Sequence, residues 1–316
     1  MLSSFRTIIG DLMTAAKVSY IIPTLNRERT LEACLRSIAG QTYPNKEIII
    51  VDGGSRDRTL SIASEYATKI LLDNGSLGQA RQRGIEESNG EILGIFDSDI
   101  VLPTKDWTDK AVQKFRSGKN IGVVWPINKA PEGSSVVARC YFLLWQARSK
   151  EFLKPIGKKL LAPGGNVLVS RKAIEVAGGF DKTLKFGEDV ELGRRITKLG
   201  FEVAIFEEPI IHDTMWSLRE YTRKQFWGAS SLAAADTSTI NLSINWDGNK
   251  SDGKRGSLAV NIFGFIGVSI RGMITGLARD RDKAWLLIPL LLAIRSLIYS
   301  RFLLYRVLTN NSKFTV

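Results

Sequence analysis

Along residues 18–127, short apolar runs alternate with stretches whose apolar positions recur every three or four residues. The runs VSYII (18–22), KEIIIVD (46–52), KILL (69–72), EILGIFD (91–97) and IGVVWP (121–126) have the length and β-branched content of buried strands. Between them, 28–39, 57–67, 78–88 and 105–117 carry helical spacing. This alternation predicts an α/β domain built on a mostly parallel sheet with helices on both faces. Ligands of such sheets collect outside the carboxyl ends of the strands. The polar loops PTLN, DGGS and DSD each follow a strand directly, so they are expected to meet along one edge.

Residues 128–163 show neither period and predict an irregular or helical excursion. NVLVS (166–170) then reads as a strand, followed by a short helix and the turn GGFDKTLKFGED. A helix is expected over 189–199, a strand over EVAIF (202–206) and a helix over 216–234. Residues 241–256 are polar and read as a linker. Two long apolar runs follow, 258–278 and 284–308, joined by RDRDK. Each is long enough to cross a bilayer, for which about 20 residues are needed. Arg271, Arg295, Arg301 and Arg306 interrupt them, and an arginine at mid-bilayer costs about 2.5–3.5 kcal/mol. A helical hairpin lying in the interface therefore fits as well as two clean spans. In residues 1–17, Leu2, Phe5, Ile8, Ile9, Leu12 and Met13 give an amphipathic segment without the continuous apolar core of a cleavable signal peptide. It is equally compatible with membrane contact and with packing on the domain or a partner. The expected organisation is an N-terminal amphipathic segment (1–17), an α/β domain (18–235), a polar linker (236–257) and a basic, apolar helical hairpin (258–316).

Charge sharpens this division. The net charge is +12, but residues 248–316 hold eleven Lys/Arg against three Asp, a balance of +8, which leaves +4 for residues 1–247. Cations set into apolar helices favour an anionic membrane surface and speak against nucleic acid. Cys34 and Cys140 are the only cysteines, far apart and without metal-type spacing. They form no disulfide framework and point to a reducing compartment.

The stretch GIFDSDIVLP (94–103) places Asp97 and Asp99 where an apolar strand ends. Like charges this close repel, and burying them is costly unless a divalent cation compensates; full exposure on a loop is the alternative. Asp52, Ser55 and Asp57 have the spacing of a turn and helix cap, with ligand contact as the other reading for Asp52. Glu188 and Asp189 fall at a predicted helix start, where backbone N–H groups favour acidic side chains. Arg81 on its own reads as a surface charge, and His212, the only histidine, as a structural one.

Four segments, in order and over roughly 17–235, resemble glycosyltransferase family 2, the inverting nucleotide-sugar enzymes of the GT-A fold. The first is VSYIIPTLNRERTLEACLRSIAGQTYPNKEIIIVDGGSRDRT. By this resemblance Pro23, Thr24 and Asn26 lie in the loop around the nucleotide base and ribose, and Asp52 stands where a family carboxylate approaches the base. Gly53 replaces a second Asp, which leaves the base unnamed. The second, GQARQRGIEESNGEILGIFDSD, puts Arg81 towards the diphosphate or the Asp-x-Asp loop, with Gln82 in place of an Asn. The third is Asp97-Ser98-Asp99 itself. The resemblance gives Asp99 direct coordination of Mn²⁺ or Mg²⁺ and Asp97 the ribose or a metal-bound water. The fourth, LAPGGNVLVSRKAIEVAGGFDKTLKFGEDVELGRRI, brings Gly164, Gly165 and Asn166 close to the transferred sugar. It makes Asp189 the base for the acceptor hydroxyl, with Glu188 assisting or binding acceptor. His212 matches a position near the metal or diphosphate. The helix after it carries Arg219, Arg223, Lys224 and Trp227, which suit a phosphate or a membrane-facing surface.

The resemblance implies a GT-A, Rossmann-like domain with C-terminal membrane-associated helices. The implied activity is metal-dependent, inverting transfer from a UDP- or GDP-linked sugar to a lipid-linked or glycan acceptor. Its expected place is the cell membrane, with the catalytic domain cytoplasmic and no nucleic-acid partner. Polyprenyl-phosphate glycosyl transfer is an alternative, weakened because DSDIVLP lacks the His-Pro-Pro continuation of that subgroup. A non-catalytic, membrane-associated nucleotide-sugar-binding protein is another. A sugar nucleotidyltransferase is disfavoured because PTLNRER stands where its glycine-rich loop would be.

Overall fold

The computed structural model describes residues 16–118, 120–143, 165–184, 187–214, 217–234, 273–274, 276–278 and 281–309. The amphipathic reading of 1–15, Gly164, the polar linker and most of the 258–278 run lie outside the described residues. The chain divides into two compact units. One takes the chain up to Ile127, then Ala162–Thr183 and Glu188–Ile211; the other takes Asn128–Leu161, Leu184–Gly187 and the chain from His212 onward.

The first unit holds the strands β1 (Val18–Thr24), β2 (Lys46–Asp52), β3 (Lys69–Leu72), β4 (Ile92–Ile95), β5 (Ile100–Val101) and β7 (Val167–Ser170), and all but the last residues of β6 (Ile121–Lys129) and β8 (Glu202–His212). They form one sheet in the order β3-β2-β1-β4-β7-β6-β8-β5. β1 runs parallel to β2 and β4, and β2 parallel to β3. β7 is antiparallel to β4 and to β6. The helices α1 (Leu31–Ala39), α2 (Thr59–Tyr66), α3 (Leu77–Glu86), α4 (Trp107–Arg116), α5 (Arg171–Ala177) and α6 (Glu188–Lys198) connect or follow the strands.

The period of two in the strands divides the core. Tyr20, Ile22, Ile48 and Ile50 pack on one face with Leu31, Cys34, Leu35 and Ile38 of α1 and Trp107 of α4. Ile49 and Val51 point the other way and meet Ala80 of α3. Each fully buried aliphatic side chain contributes about 1.5–3 kcal/mol, and a one-residue slip would exchange the two sets between the faces and unmake both packings. Helix α3 approaches so closely that a Cβ at Gly84 would collide with Ile21. A strand was expected over 202–206, yet β8 continues to His212 through Glu207, Glu208 and Pro209. Its polar stretch is held from α4: Trp107 Nε1 donates to the Pro209 carbonyl at 3.0 Å, and Lys110 pairs with Glu208 at 2.9 Å.

The second unit contains α7 (Leu218–Ala234), a 3-10 turn (Lys283–Leu287) and α8 (Ile288–Thr309). Within the 128–163 excursion, residues 136–143 are helical. Cys140, Tyr221, Ala284, Trp285, Ile288, Leu291 and Leu292 form its core. The Tyr221 hydroxyl donates to the Leu291 carbonyl at 3.0 Å, and Arg139 pairs with Asp282 at 3.1 Å. Lys283–Phe302 is long and apolar enough to cross a membrane by length and composition.

Candidate active site

The loops after β1 and β2 are tied together by polar side chains. Asp52 is fully buried and accepts from the Thr24 hydroxyl (3.0 Å), the Ser55 hydroxyl (2.6 Å) and the N–H groups of Gly54 (2.9 Å) and Ser55 (2.7 Å). These bonds describe the turn-forming role weighed for Asp52, since both carboxylate oxygens are turned inward on protein donors. Asn26 has a left-handed backbone, with φ of 52°. Its N–H donates to Ser55 Oγ at 2.8 Å, and its Oδ1 accepts from the Arg56 N–H at 2.9 Å. Pro23 lies within β1, in register with Val51. The outcome is a braced pair of loops at the carboxyl ends of two neighbouring strands.

Asp97 follows β4 and is locked by Asn166, which precedes β7. The Asp97 N–H donates to Asn166 Oδ1 at 2.8 Å, and Asn166 Nδ2 donates back to Asp97 Oδ2 at 2.8 Å. Asn166 itself takes φ of 54°, a conformation that asparagine tolerates better than most residues. The antiparallel pairing of β4 with β7 brings the two together. Asp99 is buried, with Arg27 Nη1 at 4.0 Å from its Oδ2.

Arg81 sits beneath this loop. Its Nη2 donates to Asp97 Oδ1 at 3.0 Å and its Nη1 to Glu188 Oε1 at 2.7 Å. Its side chain is 3% exposed, so it acts on neighbouring carboxylates and not as a surface charge. Burial opposes its charge, but Asp97, Glu188 and Asp189 outweigh that effect and hold its pKa above the ordinary arginine value. One cation cannot neutralise three carboxylates. Burial, reinforced by the charge on Asp189, therefore pushes Glu188 up to about 7 although Arg81 pulls it down.

Glu188 and Asp189 open α6, as expected. Gly78 in α3 leaves room for Glu188, whose Cγ would lie 3.2 Å from a Cβ there. Asp189 Oδ1 accepts from the Val190 N–H at 2.8 Å. A Cβ at Gly165 would stand 3.1 Å from Asp189 Oδ2 and 3.4 Å from Arg81 Nη2, so Gly165 lies against both.

His212 is the last residue of β8. Ligand atoms of Asp97, Asp99 and His212 all lie within 4.8 Å of one another. Two carboxylates and an imidazole at this spacing suit Mn²⁺ or Mg²⁺, with oxygen donors fitting either and the nitrogen favouring Mn²⁺.

A family model for Glycosyl transferase family 2 matches residues 19–178. The chain belongs to glycosyltransferase family 2. This family 2 enzyme is 31% identical over 220 residues to glycosyltransferase AglE of Haloferax volcanii, an alignment covering 66% of this chain and 70% of that protein. Its fold is similar to that of the mannosyltransferase PcManGT from Pyrobaculum calidifontis in complex with GDP-Man and Mn²⁺. The TM-score is 0.59 at 16% identity, over 95% of this chain and 94% of that one. It is also similar to S. aureus TarS 1-349 in complex with UDP-GlcNAc, with a TM-score of 0.52 at 18% identity over 90% of this chain and 89% of that one. The expected GT-A fold and nucleotide-sugar-dependent glycosyl transfer are borne out.

The structure thus gathers Arg81, Asp97, Gly165, Glu188 and Asp189 into one contact network in the family 2 enzyme, and braces Thr24, Asn26 and Asp52 in another. Sequence reasoning missed the lock that Asn166 places on Asp97 and the space that Gly78 leaves for Glu188. The Asn166 lock depends on antiparallel neighbours far apart in the chain, which no local pattern announces.

Proposed function

We propose that this enzyme is a metal-dependent, inverting glycosyltransferase. It moves a sugar from a UDP- or GDP-linked donor to a lipid-linked or glycan acceptor on the cytoplasmic face of a cell membrane. The observation that carries the reading is the cluster of Asp97, Asp99 and His212, whose ligand atoms lie within 4.8 Å of one another. In this reading Asp99, Asp97 and His212 hold the metal. A bound Mn²⁺ or Mg²⁺ supplies positive charge against the donor diphosphate and the departing nucleoside diphosphate.

The chain's own residues do the rest. Pro23, Thr24 and Asn26 shape the base and ribose pocket, and Asp52 holds that pocket's loop through its four internal bonds. Arg81 fixes Asp97 against Glu188. Gly165, lacking a side chain, lets the sugar approach Asp189. Asp189 takes the acceptor hydroxyl proton as that oxygen bonds to the anomeric carbon and the bond from that carbon to the diphosphate oxygen breaks. Glu188 assists by holding Arg81 and the acceptor side of the site. The +8 balance of residues 248–316 and the apolar stretch Lys283–Phe302 support the membrane location.

The test is turnover of a panel of UDP- and GDP-sugars with and without Mn²⁺. Metal-stimulated release of one nucleoside diphosphate, with the sugar's anomeric configuration inverted in the product, is expected. No turnover of any donor, or metal-independent turnover, would overturn the reading.

A further inference from the structure

We propose that α8 is an in-plane anchor that lays a leucine stripe on an anionic lipid surface and does not cross the bilayer. The inference rests on the membrane location proposed above and names the surface and mode of contact. Leu286, Leu290 and Leu297 are 60%, 47% and 74% exposed. At 100° per residue Leu290 and Leu297 of α8 fall within about 20° of one another around the helix axis, with exposed Ala293 on the same face, and Leu286 stands in the 3-10 turn just before them. Exposed Arg281 and Lys283 stand before the stripe and exposed Arg301 after it. An apolar stripe bounded by cations matches the headgroup and acyl boundary of an anionic leaflet.

The opposite face of α8 argues against a span. Tyr221 reaches the Leu291 carbonyl at 3.0 Å, and Arg295 Nη1 donates to Gln225 Oε1 at 3.0 Å. The pairs advance together, so α7 runs alongside α8 in the same direction. The exposed Arg223 and Lys224 of α7 thereby come level with Leu291–Arg295, the middle of the Lys283–Phe302 stretch. A span through that stretch would carry both cations, and Arg295, to the bilayer centre, where each costs about 2.5–3.5 kcal/mol. Lying flat, the same helix keeps Arg295 against Gln225 and over the Tyr299 ring at 4.6 Å, while only the leucines enter lipid.

The experiment is flotation of the full chain with phosphatidylcholine vesicles, with and without phosphatidylglycerol. Binding to the anionic vesicles is expected, weakened by high salt and released by alkaline carbonate. Leu290→Ser and Leu297→Ser should each lower it about tenfold, the scale of one buried leucine, and leave donor turnover unchanged. Binding that ignores both substitutions, or that survives carbonate, would overturn the in-plane anchor alone. Self-association lost in the same variants, without vesicle binding, would assign the stripe to a second copy of this chain. Absence of binding to either vesicle overturns the anchor; retained transfer to a water-soluble acceptor alongside it would overturn the membrane reading too.

Discussion

Arg81 Nη1 donates to Glu188 Oε1 at 2.7 Å, and the two side chains are only 3% and 6% exposed. Because Arg81 Nη2 also holds Asp97 at 3.0 Å, a buried guanidinium joins the metal-side loop to the carboxylates at the start of α6. The two sides of the proposed reaction centre are therefore one electrostatic unit. Changing any member should be felt by the others.

Arg81→Met leaves Glu188 buried without its cation. Loss of one partner of a buried pair costs about 3–5 kcal/mol, so a marked drop in the thermal midpoint is expected. Arg81→Lys should recover only part of it, because an ammonium lacks the fork that reaches both carboxylates. A midpoint unchanged in Arg81→Met would contradict the buried bridge.

Glu188 titrates near 7 in the folded protein against 4.5 for an ordinary glutamate. Between those values the folded state binds more protons than the unfolded state. Stability should therefore fall as pH rises from about 4.5 to 7 and level off above. Glu188→Gln should flatten that slope, because an amide does not titrate in this range. Urea melts across the range measure this; equal slopes in the two proteins would contradict the assignment.

Asn166→Gly keeps the left-handed backbone and removes both bonds to Asp97. Two lost bonds of about 1 kcal/mol each should raise the Mn²⁺ concentration needed for half-maximal turnover about thirtyfold. Asn166→Asp should be worse, since a carboxylate then faces Asp97. Metal titration of donor turnover reads both. Unaltered metal dependence in both variants would remove Asn166 from the site.

Asp52→Asn turns one acceptor of the loop into a donor facing backbone N–H groups. A loss of about 2 kcal/mol in stability is expected, together with weaker nucleotide binding through the displaced loop. Denaturation and nucleotide titration distinguish two roles. Parent-like stability with binding alone lost would make Asp52 a direct contact to the base.

Much of this was legible in the chain. The strands over 18–24 and 46–52 are apolar runs whose two faces are both covered, and the loops after them are polar, so their edge could be read directly. The carboxylates of Asp97, Asp99, Glu188 and Asp189 were visible as residue types at strand and helix ends. The burial of Arg81 was not, because α3 shows arginines at 81 and 83 alike and only packing decides which faces inward. β8 was cut short at Phe206 because Glu207, Glu208 and Pro209 break the apolar run; their partners Lys110 and Trp107 lie about a hundred residues away. The side of α8 that meets α7 was likewise hidden, since a helix apolar all round gives no facing direction.

The most direct test of the central claim is the thermal midpoint of the purified protein and of Asp99→Asn, each with UDP or GDP, with and without Mn²⁺. The account predicts that one nucleotide stabilises the parent only when Mn²⁺ is present, by the mass action of a ligand on the folded state. Asp99→Asn should lose that shift while melting like the parent when nothing is bound. An equal Mn²⁺-dependent shift in Asp99→Asn, or none with either nucleotide in the parent, would contradict it.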